Sequence, residues 1–163
     1  MSRRRSRFLR KPVEPFAIAP GVSADDLLTR MERISFQGRN LGIARRIWEK
    51  MLGSDATIFL GTAGALSAGG MRMIVAHCIE HRYIDCLVST GANLYHDLHE
   101  TRGHRHYIGA PTLDDAALAA ERIDRVYDTL ASEDQFCRND EWIAAFVLKL
   151  ERRPYTTREF LYR

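Results

Sequence analysis

Long apolar runs are missing from this chain of 163 residues. None approaches the roughly 18 residues that a membrane-spanning helix needs, so no membrane partner is expected. The start, MSRRRSRFLRKPVEPF, is basic and has no apolar h-region, so no secretory signal is read there. Cysteine is sparse: Cys78, Cys86 and Cys137 form an odd, widely spaced set. Cys78 and Cys86 sit in apolar patterns and read as small core residues. This usage points away from a disulfide framework and toward a reducing, cytoplasmic setting. No internal repeat, low-complexity tract or G-x-G-x-x-G run is present. The length is that of one domain with enough apolar content for a core.

Positive charge is concentrated at one end. Arg3, Arg4, Arg5, Arg7, Arg10 and Lys11 fall within the first eleven residues and leave the rest with more acidic than basic side chains. Residues 1–20, punctuated by Pro12, Pro15 and Pro20, read as a basic, disordered tail; residues 21–163 read as the folded domain. A basic arm suits nucleic acid or an acidic partner, but a solvated terminus is the plainer reading. The acidic body and the lack of interleaved aromatics argue against a nucleic-acid partner.

The richest stretch runs from Ala56 to His99. An apolar run (Thr57, Ile58, Phe59, Leu60) ends at Gly61. A small-residue segment holds Gly61, Gly64, Gly69 and Gly70. An amphipathic pattern follows through Met71, Ile74, Val75, Cys78 and Ile79. A second apolar run (Ile84, Cys86, Leu87, Val88) ends in Ser89, Thr90, Gly91 and Ala92. Strand, glycine turn, helix, strand and polar glycine turn make one βαβ unit. Parallel sheets bind ligands at the carboxyl ends of their strands, so the functional site is expected there. Glycines let backbone N–H groups approach a phosphate, and the next helix turns its positive end toward it. A plain close-packed turn is the alternative.

Around this unit, Ser23 with Asp26 marks a helix start. Gly38 breaks the pattern, and a second helix runs from about Asn40 to Leu52. A short helix through Leu94, Tyr95 and Leu98 stops at Gly103, and Tyr107, Ile108 and Gly109 form a short strand. Residues 114–130 read as a helix through Leu118, Ile123, Val126 and Tyr127. Trp142, Ile143, Phe146, Val147 and Leu150 mark another. Thr156 or Thr157 with Glu159 starts a last one. Two parallel strands cannot bury both faces of a sheet. The expectation is therefore an α/β fold that is the amino-terminal part of something larger, or one completed by a partner chain.

Several of these segments resemble the deoxyhypusine synthase family, and especially its bacterial branch of deoxyhypusine synthase-like and homospermidine synthase-like proteins. They are SFQGRNLG at 35–42, TIFLG at 57–61, GGMR at 69–72, IDCLVST at 84–90, RIDRVY at 122–127, Phe136, and Glu141 with Trp142. GANLYHDLH at 91–99 looks like the bacterial branch. The resemblance implies a Rossmann-like parallel sheet with flanking helices, a homotetramer, and NAD held across subunit interfaces. It implies transfer of an aminobutyl group from a polyamine such as spermidine, through an imine on an enzyme lysine. The acceptor is a protein lysine in the hypusine branch and a free polyamine in the homospermidine branch. By the same resemblance Gly64, Ala65 and Leu66 contact the cofactor on the first turn, and Thr90, Gly91 and Ala92 on the second. The family's lysine lies in a Trp-Gly-Lys segment, and Lys11, Lys50 and Lys149 have no such context. No catalytic residue is therefore assigned, and the chain alone is expected to be inactive. A non-catalytic cofactor-binding or assembly subunit is the alternative.

Where the eukaryotic branch carries paired glutamates, this chain has Tyr95 and His96. His96 is thus the expected substrate-binding residue, without the standing negative charge of a carboxylate. His96, His99, His104 and His106 cluster within eleven residues beside Asp97. A metal is conceivable for His96 and His99 on one helix face, but hydrogen-bonding histidines are the preferred reading and no metal is assigned. His77 and His81 read as an exposed helix face, Tyr107 and Gly109 as structural, and Trp142 as core or interface.

Overall fold

The structure, a computed structural model, describes residues 8–163; Arg3, Arg4, Arg5 and Arg7 of the basic tail lie outside the described residues. The chain forms two compact units that part at Ile58 and Phe59.

In the first unit the Ser23 hydroxyl accepts the Asp26 N–H at 3.0 Å and caps helix α1 (Ala24–Met31), as the sequence predicts. Helix α2 (Phe36–Leu52) starts earlier than expected and runs straight through Gly38. The reason is packing. A Cβ on Gly42 would sit 2.6 Å from both the Leu28 carbonyl oxygen and the Glu32 backbone nitrogen of the α1 segment. One on Gly38 would sit 2.8 Å from Ile34 Cδ1. These glycines let two helices approach closely, and neither ends a helix. Arg45 pairs with Asp25 and Arg46 with Glu32 across the helix pair.

The second unit opens with the expected βαβ element. Strand β1 (Phe59–Thr62) extends one residue past Gly61 and pairs in parallel with β2 (Cys86–Ser89), with Phe59 opposite Cys86 and Thr62 opposite Ser89. The crossover is a π turn (Ser67–Met71), with Gly70 at φ 85°, followed by helix α3 (Arg72–Glu80). Helix α4 (Gly91–Thr101) springs directly from the end of β2 and stops before Gly103, whose φ is also 85°.

Next come β3 (Tyr107–Ile108), helix α5 (Asp115–Ala120), β4 (Ile123–Val126), β5 (Thr129–Ser132), helix α6 (Glu133–Val147) and helix α7 (Thr157–Tyr162). The long helix expected over residues 114–130 is corrected: only its first turns are helical. Arg122 at φ 56° ends α5, and Tyr127 at φ 59° sits in the two-residue turn of a β4–β5 hairpin. Glycine or asparagine normally advertises such φ values, and here arginine carries one at the helix end and tyrosine the other in the hairpin turn. β3 pairs antiparallel with β5, so a second sheet has the order β3-β5-β4. Leu150 falls beyond α6, whereas α7 shows the full capping box between Thr156 and Glu159.

Full burial of apolar side chains is rare. Among the described residues Ile58, Ala68, Ile84 and Ala131 qualify, while Phe59 and Val88 on the parallel strands are 65% and 56% exposed. Cys78 and Cys86 are half-buried, Cys137 is exposed, and all three are free thiols.

Candidate functional site

The carboxyl ends of β1 and β2 open on a crevice roofed by the π turn, α3 and the start of α4. The Thr90 N–H donates to the Thr62 carbonyl at 3.2 Å and continues the strand ladder to the threshold of α4. Asn93, 4% exposed, ties the two glycine turns together. Its Oδ1 accepts the Ser67 N–H at 3.2 Å, and its Nδ2 donates to Thr90 Oγ1, also at 3.2 Å. Arg72, at the start of α3, donates from Nε to Asp97 Oδ1 at 2.9 Å and from Nη2 to Thr101 Oγ1 at 2.8 Å. A cavity of about 180 Å³ lies between these groups, with Thr62, Ser67, Ser89, Asn93 and Asp97 as polar lining and Val75, Ile79 and Leu87 as apolar wall.

Of the residues expected at a cofactor, Leu66 lines this cavity, and Gly64 and Ala65 precede it on the same turn. Thr90 is the N-cap of α4 and makes no side-chain cap bond. Gly91 and Ala92 form the exposed first turn, where N–H groups have no partner within the helix. Nothing lies within 4 Å of where a Cβ would stand on Gly61, Gly64, Gly69, Gly70 or Gly91. The crevice therefore offers bare backbone and the positive end of an eleven-residue helix, a setting that suits an anion. Nothing in the sequence alone assigns Thr62, Asn93 or Arg72 to the site, and Asp97 stands out there only as a neighbour of the histidines. The available signal was spacing: Asn93 stands three residues after Thr90, within reach of a helix N-cap.

The second half of α4 carries His96 and His99, the segment after it His104 and His106, and the structure gathers all four. His96 Nδ1 lies 2.9 Å from His106 Nε2, and His106 Nδ1 lies 2.8 Å from Glu100 Oε1. His99 is fully buried. Its Nδ1 accepts from Asn139 Nδ2 at 3.1 Å, and its Nε2 lies 3.4 Å from the Arg105 carbonyl. Asn139, equally buried, accepts through Oδ1 from Arg102 at 2.9 Å, which fixes the orientation of its amide. His99 is thereby held neutral with its proton on Nε2, and burial pulls its pKa down to about 4. Burial also lowers the pKa of His96 and of His104. Phe136 packs against Tyr95, His96 and His99. The Tyr95 hydroxyl donates to Asp140 at 2.7 Å, and burial together with that carboxylate raises its pKa. Asn139 was missed because a lone asparagine in an amphipathic pattern gives no sign of burial. Among the described residues, no group of three or more His, Cys, Asp and Glu side chains is arranged to hold a metal. His77 and His81 lie side by side on an exposed face, their rings tilted by 35° with centroids 3.9 Å apart. Trp142 is 44% exposed and stacks on Phe146.

These features define a mixed α/β protein with a small parallel sheet, flanking helices and a small crevice at the strand ends. The family model "Deoxyhypusine synthase" matches residues 26–163, so the chain belongs to the deoxyhypusine synthase family. It is 40% identical over 156 residues to a probable deoxyhypusine synthase 2 of Methanosarcina acetivorans, covering 95% of this chain and 45% of that protein. It is 46% identical over 132 residues to a probable deoxyhypusine synthase 2 of Archaeoglobus fulgidus, covering 80% and 44%. A deoxyhypusine synthase-like protein of Coxiella burnetii is 35% identical over 160 residues, covering 97% and 45%. The chain thus spans a little under half the length of these relatives. Among the described residues no helix is long and apolar enough to cross a membrane.

Proposed function

We propose that this chain carries part of the NAD site of a deoxyhypusine synthase-like transferase, on a Rossmann-like sheet of which β1 and β2 are two strands. The carrying observation is the crevice at their carboxyl ends, where open glycines meet the uncapped start of α4. Residues 64–66 and 90–92 would hold the cofactor's phosphates through backbone N–H groups. At about 180 Å³ the cavity is below the usual size of a complete cofactor pocket. That supports a site finished by further sequence or by a second subunit.

NAD, when bound, supplies the hydride acceptor for a polyamine carbon. His96, one turn along α4, is the residue of this chain proposed to face the polyamine. Its lowered pKa favours the neutral ring, which accepts a hydrogen bond from an ammonium group. None of Lys11, Lys50 and Lys149 lies in a Trp-Gly-Lys context. The imine-forming lysine would come from sequence beyond these residues or from a partner chain. The exposed Phe59 and Val88 support oligomer formation, as a homotetramer or with a complementing chain, because apolar strands left uncovered drive association. Three free thiols accord with a cytoplasmic setting. A second reading, a non-catalytic cofactor-binding or assembly subunit, is favoured by the missing lysine context alone.

Equilibrium dialysis with NAD tests the first reading. Gly91→Asp puts a negative charge at the mouth of the crevice and is expected to weaken binding at least about tenfold, the equivalent of roughly 1.4 kcal/mol. Unchanged affinity would remove the crevice from the cofactor site. The chain with NAD and spermidine is expected to produce no NADH; turnover would show that the catalytic machinery is complete within it.

A further inference from the structure

We infer that Glu100 and His106 are positioning residues that set the proton state of His96, holding its Nε2 as a lone pair and stabilising any proton it takes up. The inference rests on the proposed role of His96 toward a polyamine only for its substrate; the tautomer itself follows from this chain's geometry for a neutral His106.

A carboxylate only accepts hydrogen bonds, so the 2.8 Å contact makes His106 Nδ1 the donor to Glu100. A neutral His106 then has a bare Nε2. The 2.9 Å contact to that atom makes His96 Nδ1 the next donor, which leaves His96 Nε2 without a proton. The three groups form a one-way chain from carboxylate to imidazole to imidazole. It is held in place on both sides. The His106 side chain is only 5% exposed. Phe136 of α6 packs on the His96 ring with centroids 5.7 Å apart.

The surrounding charges leave this order intact. Arg72 of α3 lies 3.6 Å from the second oxygen of Glu100 and pairs with that carboxylate. On α4, His99 is neutral, with its ring 5.0 Å from His106. From the loop, His104 packs on His99 and not on the chain. From α6, Asp140 is engaged by Tyr95.

Uptake of a proton is balanced along this path. The substrate ammonium loses a proton and becomes a neutral amine, and a new N–H bond forms at His96 Nε2. The proton on His96 Nδ1 moves to His106 Nε2. The resulting imidazolium pairs with Glu100, whose own charge does not change. The carboxylate stabilises the positive charge at a distance, while the group facing substrate returns to neutrality.

Nitrogen-15 imidazole spectra of the full chain near neutral pH test the inference without any ligand. Both His96 and His106 are expected to carry the proton on Nδ1, with Nε2 bare. Finding His96 protonated on Nε2 in the wild-type chain would overturn it. His106→Phe removes the acceptor and should free His96 to move its proton to Nε2; an unchanged tautomer would also overturn the inference. Should that variant fail to fold, Glu100→Gln serves instead. The amide reverses the chain if its NH2 group donates to His106 Nδ1, so His96 moving its proton to Nε2 supports the inference, and His96 carrying Nε2–H while His106 keeps Nδ1–H overturns it. Spermidine titration of His96→Ala separates the two claims. Unaltered polyamine binding with the predicted wild-type tautomer would sink the substrate assignment and leave the chain of hydrogen bonds standing.

Discussion

The two ends of α4 use the same eleven residues of helix for opposite purposes. At its start Thr90 leaves the helix uncapped, Gly91 and Ala92 are exposed, and neighbouring glycines have empty space beside them. At its far end His99 and Asn139 are completely buried and bonded to each other. A helix terminus with free N–H groups gains by binding an anion. A buried imidazole gains only if both nitrogens are satisfied and uncharged. The open end therefore suits the proposed ligand, and the closed end contributes to stability. The His96–His106–Glu100 chain sits between them and shares both characters, being enclosed yet only part-buried at His96.

Acid should break the closed end first, with the largest effect. Above about pH 6.5 His99 is neutral in both the folded and the unfolded chain. As pH falls from there to about 4, the unfolded chain takes a proton that the buried ring refuses. Stability is therefore full above that window and lost through it, by up to about 3 kcal/mol. Denaturant unfolding at pH 7 and pH 4.5 checks this; equal midpoints would mean that His99 is protonated in the folded state.

Asn139→Ala should cost about 2 kcal/mol, because it strands His99 Nδ1 in the interior and releases Arg102. The same denaturation experiment reads it, and the variant should leave NAD affinity nearly unaltered. Asn93→Ala should do the reverse. It is expected to cost about 1 kcal/mol by unpairing the Ser67 N–H, and also to weaken NAD binding by loosening one glycine turn from the other. A thermal melt and a dialysis curve on the same sample distinguish the pair. The smallest effect is expected from Arg72→Met. Its partner Asp97 is half exposed, so the lost ion pair should cost roughly 0.5 kcal/mol, shrinking in high salt.

The open end was more legible in the sequence than the closed one. Apolar runs that end in glycine announce both parallel strands and the turns after them, because backbone geometry there demands small residues. The caps of α1 and α7 were equally plain, since Ser23 and Thr156 act on neighbours three residues away. What the sequence hid depends on distant partners. Asn139 meets His99 forty residues back. Gly38 looks like a helix breaker until the side chains of Ile34 and Met31 stand against it. The β4–β5 hairpin was hidden because Tyr127 takes the left-handed conformation that sequence rules reserve for glycine. The four histidines were visible as a cluster, but their pairing was not, because it is fixed by Glu100, Asn139 and Phe136.

The most direct test of the account is to follow the backbone amide signals of the full chain while NAD is added. The account predicts shifts confined to residues 64–66 and 90–93, with the His99–Asn139 end unmoved. Shifts centred instead on the α1–α2 unit, or no shifts at any NAD concentration that can be reached, would contradict it.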